Sequence, residues 1–442
     1  MRISFLIHHA YGIGGTIRTT FNLANGLAER HTVEIVSVFR YRTEHRLFLD
    51  PRVRLRHLVD LRKKRASYEG GHPLARRPSK VFPCEDGRYP QYSELTDERL
   101  GACLRDLDAD IVIGTRPGLN VHLARQAPRR LVRIGQEHLT LNTHPTRLVL
   151  RLRRLYPRLD AITTTTEADA ASYRSRLRLP GVRIQAMPNS VPHPGIAPST
   201  LDARHVVAVG RLAPVKRYGD LILAFAKVRA ERPDWDLRLY GEGPEKGELS
   251  RLVGQLGLDD ALTLMGSASP VEPEMAKGSL LVVSSSMESF GMTIVEAMRV
   301  GLPVVSTNCP LGPGEIIEHG VDGLLVPPRD PQALADAMLE VINDDERRAR
   351  MGRAALEKGR RYDTARIVAR YEAAFQELMD RRAGTRGRVR GLGHRTAAYG
   401  VGAWYVVKDL VKVVVRGALP RRRTPVRPQG GTNRDDRPEQ GV

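Results

Sequence analysis

SSSMESFGMTIVEAMR, residues 284–299, follows the solid apolar run Leu280-Leu281-Val282-Val283. That run reads as a strand buried on both faces. Three serines carry the chain off the strand end. Glu288-Ser289-Phe290-Gly291 then opens a helix that runs through Ile294 to about Val300. A strand, a short polar loop and a glycine at a helix start leave several backbone N–H groups unpaired and aimed at one point, which attracts anions and hydroxyls. Two carboxylates frame that point: Glu288 before the helix and Glu296 about two turns in. A carboxylate repels phosphate, so both are expected to face the neutral hydroxyls of a ligand. The plainer reading of this stretch alone is an ordinary βα loop with one solvated and one surface glutamate.

At 442 residues the chain exceeds one ordinary core, and two or three units are expected. Cys84, Cys103 and Cys309 are odd in number, scattered and never in a CxxC pair, which fits free thiols in a reducing compartment rather than a disulfide frame or zinc site. The apolar opening Ile3–Ile7 is too short for a signal-peptide core, and no run suits a membrane-spanning helix. The formal charge of +20 points to an anionic surface or ligand. With only 5% aromatic residues the chain lacks the interleaved rings of a nucleic-acid platform, so nucleic acid is not an expected partner.

Outward from the opening stretch the chain reads as two series of alternating strands and helices. Upstream, the strand His205–Gly210 (HVVAVG) runs into Gly210-Arg211-Leu212-Ala213-Pro214-Val215-Lys216. Two cations five residues apart on a loop turning at Pro214 can converge on one diphosphate, Arg211 as a fork and Lys216 as a point charge. Leu237–Tyr240, Leu262–Met265 and Pro303–Ser306 read as further strands of this series, and Pro331 to about Arg382 as a long helical end. Residues 187–200, rich in Pro and Ser, read as an interdomain linker. In the first half, strands are expected at Arg2–His8, Val33–Phe39, Asp110–Gly114, Leu131–Gly135 and Ala161–Thr165, with a strand and a long loop over 40–95. Gly12-Ile13-Gly14-Gly15-Thr16 joins the first strand to a helix over Thr16–Arg30, a usual seat for a phosphate or a close-approaching ligand. Close helix–strand packing explains those glycines equally well, and the pattern is not a nicotinamide fingerprint. His138 lies where a strand's carboxyl end presents ligands, although a lone loop histidine is more often solvated. Arg147, Arg151, Arg153, Arg154 and Arg158 crowd one short helix, as a solvated face or as a surface for an anionic lipid or polymer. The expected fold class is α/β, two doubly wound units facing one cleft.

GRLAPVKRYGDLI, LYGEGPEKGEL, ESFGMTIVEAM with Glu288 and Glu296 as E-x7-E, and CPLGPGEIIEHGVDGLLVPP resemble glycosyltransferase family 4, retaining enzymes of the GT-B fold. The match runs in order across about 205–380 and is looser over 1–195, where it rests on the GGT loop, the His138 region and Met187–Val191. The CPLGPGEII form is similar to the subset that decorates cell-surface polymers, including poly(glycerol-phosphate) alpha-glucosyltransferases. The resemblance implies an acceptor-side Rossmann-like domain over 1–195 and a nucleotide-sugar domain over 196–382, with the last helix returning to the first domain. It implies Arg211 and Lys216 on the donor diphosphate, Glu288 on the donor sugar near the reacting carbon, and the amides of Ser289, Phe290, Gly291 and Met292 beside it. Glu296 would hold ribose hydroxyls, His138 would reach the sugar from the opposite domain, and Gly14 and Gly15 would let phosphate and acceptor approach. The loop at Met265, Gly266 and Ser267 would meet the nucleobase. Glu288, His138, Arg211 and Lys216 form the implied catalytic set.

Breaking the anomeric bond places negative charge on the diphosphate, which the two cations and helix-end amides stabilise, so neither metal nor cofactor is expected. No DxD motif stands in a suitable loop. In enzymes that this chain resembles, the acceptor is thought to attack from the leaving-group side, so the diphosphate itself takes the acceptor's proton. Residues 383–442 read as a basic extension, with 13 Lys/Arg against 4 Asp/Glu and an amphipathic segment at 397–419 suited to an anionic membrane surface. The expectation is therefore a hexosyltransferase moving a sugar from a nucleotide-sugar to a cell-envelope glycan, lipid or anionic wall polymer. It is expected to be cytoplasmic and peripheral on the inner face of the plasma membrane. A GT-B sugar-nucleotide epimerase and a non-catalytic sugar-nucleotide binder are the alternatives.

Overall fold

A computed structural model of the chain describes residues 1–384. The segment 397–419 and the basic end beyond it lie outside the described residues. The first lobe holds seven strands, β1 (Arg2–His9), β2 (Thr32–Arg40), β3 (Arg54–Asp60), β4 (Ile111–Gly114), β5 (Val132–Glu137), β6 (Ala161–Thr164) and β7 (Arg183–Ala186). All pair in parallel, in the order β3-β2-β1-β4-β5-β6-β7. Helices α1 (Gly15–Leu27), α2 (Glu94–Asp106), α3 (Pro117–Gln126), α4 (Thr146–Leu155) and α5 (Glu167–Leu177) join them.

The second lobe holds β8 (His205–Val209), β9 (Asp236–Tyr240), β10 (Leu262–Gly266), β11 (Leu280–Val283), β12 (Val304–Thr307) and β13 (Gly323–Val326), parallel in the order β10-β9-β8-β11-β12-β13. Its helices are α6 (Tyr218–Glu231), α7 (Lys246–Gln255), α8 (Glu272–Met275), α9 (Met292–Arg299), α10 (Pro313–Ile316), α11 (Pro331–Ile342), α12 (Asp345–Gly359) and α13 (Thr364–Ala383). Each sheet starts in its middle, grows to one edge, then crosses back over its first strand. The crevice left at that reversal, outside the carboxyl ends of the strands, is where such sheets hold ligands. It opens between β1 and β4 in one lobe and between β8 and β11 in the other.

Helix α13 ends the second series but packs on the first lobe. Ile367, Val368, Tyr371 and Phe375 are buried in one cluster with Ile3, Phe5 and Phe21. The approach to α1 is close: a Cβ at Gly26 would stand 2.5 Å from Thr364 Cγ2. Full burial of Phe375 alone stabilises this seam by about 1.5–3 kcal/mol.

Several boundaries differ from the sequence reading. The helix after β11 begins at Met292, not in Glu288–Gly291, because Gly291 takes φ 105°, a left-handed N-cap that turns the chain into the helix. Glu288 instead bridges to Leu311. Glu296 is consequently little more than one turn into α9. The long helical end is three helices: Asp344 caps α12 through Arg347 N at 2.8 Å, and a single 3-10 turn, Arg360–Tyr362, separates α12 from α13. Two edge strands, β7 and β13, were not foreseen. Among the described residues no helix is long and apolar enough to cross a membrane.

Candidate active site

The two crevices face each other across a cleft of about 880 Å³. Its second-lobe wall is the loop after β8 and the loop after β11. Lys216, on a 3-10 turn, donates from Nζ to Glu288 Oε1 at 2.6 Å, and Ser285 Oγ donates to the same oxygen at 2.6 Å. Arg211 lines the same wall, exposed, with no ion-pair partner among the described residues. Glu296 is 3% exposed. Burial pushes its carboxyl up, and the nearby Arg18 cation pulls it back down.

Backbone contact, not only charge, shapes this wall. A Cβ at Gly241, in the LYGEG run after β9, would stand 1.9 Å from Gly210 O. At Gly312, in CPLGPG, it would stand 1.7 Å from Phe290 O. Glycine at 241 therefore lets the Arg211 loop lie against the β9 loop, and glycine at 312 supports the Ser289–Gly291 turn from behind. Met292 and Thr293 N–H groups head α9, since the first bonds back to Gly291 O come from Ile294 and Val295.

The first-lobe wall consists of the β1–α1 loop and the carboxyl ends of β1, β4 and β5. At Gly14 and Gly15 an added Cβ would meet no protein atom within 4 Å, so these glycines face the cleft rather than the packing of the lobe. His138 follows β5 and lines the cleft; its Nε2 is buried without a hydrogen-bond partner. Burial pushes the ring down to about 4, so it is neutral at ordinary pH. Beneath it, the buried Glu137 accepts from Asn120 Nδ2 at 2.9 Å and from the Tyr156 hydroxyl. Burial pushes Glu137 up to about 8.

Among the described residues, these contacts tie the lobes and the linker between them together. Arg18 Nη1 of α1 donates to Glu296 Oε1 at 2.5 Å and lies 3.9 Å from Glu272. Thr165 Oγ1 donates to Ser289 O at 2.7 Å. Asn22 Nδ2 donates to Ser190 O at 3.0 Å. Glu315 of α10 accepts from Glu167 N and Ala168 N at 2.8 and 2.7 Å, covering the first turn of α5 with a carboxylate.

Gly14, Gly15, His138, Arg211, Lys216, Glu288, Ser289, Phe290, Gly291, Met292, Glu296 and Ser267 therefore lie on one cleft. Met265 and Gly266 stand apart from its lining; Met265 is exposed at the end of the edge strand β10. Arg18 is the residue that sequence reasoning missed. Its one signal was its place in the first turn after the Gly14-Gly15 loop, and nothing local joined it to a glutamate 278 positions away. The arginines of α4 are partly accounted for: Leu148, Val149, Leu152 and Leu155 are buried, and Arg151 pairs with Glu85 at 2.8 Å.

Two family models match this chain one after the other, between residues 13 and 358. The one described as Glycosyltransferase Family 4 covers residues 13–193, and the one described as Glycosyl transferases group 1 covers residues 196–358. The chain is 34% identical over 424 residues, 92% of its length, to an exopolysaccharide phosphotransferase of Streptomyces coelicolor, of which it spans 44%. Among solved structures it is similar to TarM of S. aureus, crystallised with Fondaparinux, alpha-GlcNAc-glycerol and UDP (TM-score 0.69, 16% identity, 85% of this chain and 100% of that one). It is also similar to HepE of Anabaena in complex with UDP and glucose (TM-score 0.66, 18% identity, 84% of this chain and 99% of that one). At such identities these two likenesses speak to the fold alone.

Proposed function

This chain belongs to glycosyltransferase family 4 and has the GT-B fold, and from that premise we propose that its cleft moves a sugar from a nucleotide-sugar to a hydroxyl of a cell-envelope glycan, lipid or wall polymer, with retention at the anomeric carbon. The observation that carries the reading is the meeting of Arg211, Lys216, Glu288 and Glu296 at the second lobe's sheet reversal, facing that of the first across the cleft. The donor diphosphate lies against Arg211, Lys216 and the leading amides of α9, where departing negative charge meets fixed positive charge. Lys216 is held at its post by Glu288, whose second oxygen is left for a sugar hydroxyl. Glu296 takes the ribose hydroxyls, with Arg18 bonded to its other side at the lobe boundary. The neutral His138 brings a hydrogen-bonding ring to the sugar without adding a cation beside a carbon that becomes positive.

The acceptor hydroxyl enters from the first-lobe side and attacks on the face the diphosphate leaves, so that its proton passes to a departing phosphate oxygen. These groups supply the electrostatic part of the chemistry without calling for a metal or cofactor. The relatives' names fit an envelope acceptor, and the reading places the protein at the inner face of the plasma membrane. A panel of UDP-, GDP- and ADP-sugars tests it, scored for nucleotide release with and without a lipid and wall-polymer extract. One donor whose release rises with extract, with the sugar recovered on the extract, is the expected result. Release indifferent to extract favours the epimerase reading, and no release from any donor ends the enzyme reading.

A further inference from the structure

The first-lobe wall carries cations that the donor does not use. Asp86 is buried and ties three groups together: its Oδ1 accepts from Arg116 Nη2 at 2.5 Å and from Arg88 N at 3.0 Å, and its Oδ2 accepts from Gly118 N at 3.3 Å. That one carboxylate pins the 83–91 loop to the start of α3 and so sets Arg88 and Arg116 on the same wall, at the carboxyl end of β4. Its charge is committed to Arg116. The Arg88 guanidinium is exposed and has no ion-pair partner among the described residues, and Arg116 Nε is buried with no hydrogen-bond partner. Glu85, next to Asp86 in the chain, is paired with Arg151.

Neighbouring groups register the same surplus. His8 and His9 end β1 on this wall. Burial, Arg116, His9 and Arg88 together push His8 down to about 2, and burial followed by Arg88 and Arg42 pushes His9 down. Tyr92 holds His8 by a 2.9 Å hydrogen bond, so the ring cannot turn away from the cations. Burial accounts for the larger part of both shifts; the remainder, owed to the arginines, is the part that favours an anion. Arg211 and Lys216, assigned above to the donor diphosphate, belong to the other lobe.

We propose that the acceptor bears a phosphate group, bound by Arg88 and Arg116 on the first-lobe wall while a neighbouring hydroxyl of the same molecule attacks. This rests on the donor reading given above. Arg88 supplies the free fork and Arg116 the anchored one, an arrangement suited to the oxygens of a phosphate monoester or diester. The group is recognised and not transformed; the glycosidic bond forms at the hydroxyl.

The test uses the full chain at low ionic strength. It is titrated first with UDP, GDP and ADP, and the nucleotide that binds is then kept at saturation so that the donor cations are occupied. Glycerol 3-phosphate, glycerophosphoglycerol and glycerol are titrated next, as monoester, diester and neutral probes. Binding of either phosphate well above glycerol is expected, the better of the two naming monoester or diester as the source. Arg88→Glu is expected to weaken that binding by about tenfold or more and Arg88→Lys by about threefold or less, as for a charge-assisted contact. Nucleotide affinity of each variant reports its folding, with Arg88→Gln in reserve should Arg88→Glu not fold. Nucleotide binding without any preference for phosphate over glycerol, or phosphate binding indifferent to Arg88→Glu, overturns this proposal alone. Failure of every nucleotide to bind overturns the donor reading and this proposal with it.

Discussion

Glutamates stand on the second-lobe wall of the cleft and behind the first-lobe wall, and the two lobes treat them in opposite ways. In the second lobe Glu288 has Lys216 at 2.6 Å, and Glu296 has Arg18 at 2.5 Å from across the boundary. In the first lobe Glu137 has only an amide and a phenol, and burial holds it as a neutral acid up to about pH 8. A cation beside a buried carboxylate offsets the cost of removing its charge from water; without one the group keeps its proton. The second lobe thus sets a cation against each of its glutamates, although burial still pushes Glu296 up. The first lobe sets a neutral floor under His138 and keeps its cations at the rim, on Arg88 and Arg116. On the proposed function, the difference would separate the chemistry of the leaving group from that of the sugar face and acceptor.

The largest effect that would sharpen this contrast is on stability. Glu137 has an ordinary value of 4.5 and a folded value of about 8, so between them the folded first lobe holds one more proton than the unfolded chain. Stability should therefore fall as pH rises from about 5 to 8 and level off above, by at most about 1.4 kcal/mol per pH unit from this group. Thermal unfolding of Glu137→Gln across that range should lose that part of the slope; an unchanged slope would mean that the acid is not held neutral. Next comes Lys216→Ala, expected to cost about 2–4 kcal/mol of transition-state binding, roughly thirtyfold to a thousandfold in kcat/KM. Turnover near wild type would break the assignment of the second-lobe wall to the diphosphate. Smallest is Gly312→Ala, whose Cβ would press on Phe290 O and cost about 1–3 kcal/mol in denaturant unfolding. Wild-type stability there would mean that the Ser289–Gly291 turn yields freely.

The second lobe was the more legible in sequence because its site is built from contiguous runs. Arg211 and Lys216 share one loop, Glu288 and Glu296 one loop–helix unit, and the buried strand Leu280–Val283 is a plain apolar run. What failed there was the helix start, since a glycine at positive φ delays it past residues that look helical. The first-lobe site is assembled from residues 8, 9, 14, 15, 18, 88, 116 and 138, each unremarkable in its own segment. Asp86 acquires meaning only once α3 lies beside it, and Arg18 only once the lobes face each other. The strands missed, RIQA at 183–186 and GLLV at 323–326, are four-residue sheet edges too short to show a period.

The most direct test is a crystal structure of the full chain with the nucleotide-sugar that it turns over. The diphosphate should lie within hydrogen-bond distance of Arg211 and Lys216, the ribose hydroxyls on Glu296, and the sugar between Glu288 and His138. A diphosphate bound on the Arg88–Arg116 wall, or a ribose distant from Glu296, would contradict the account.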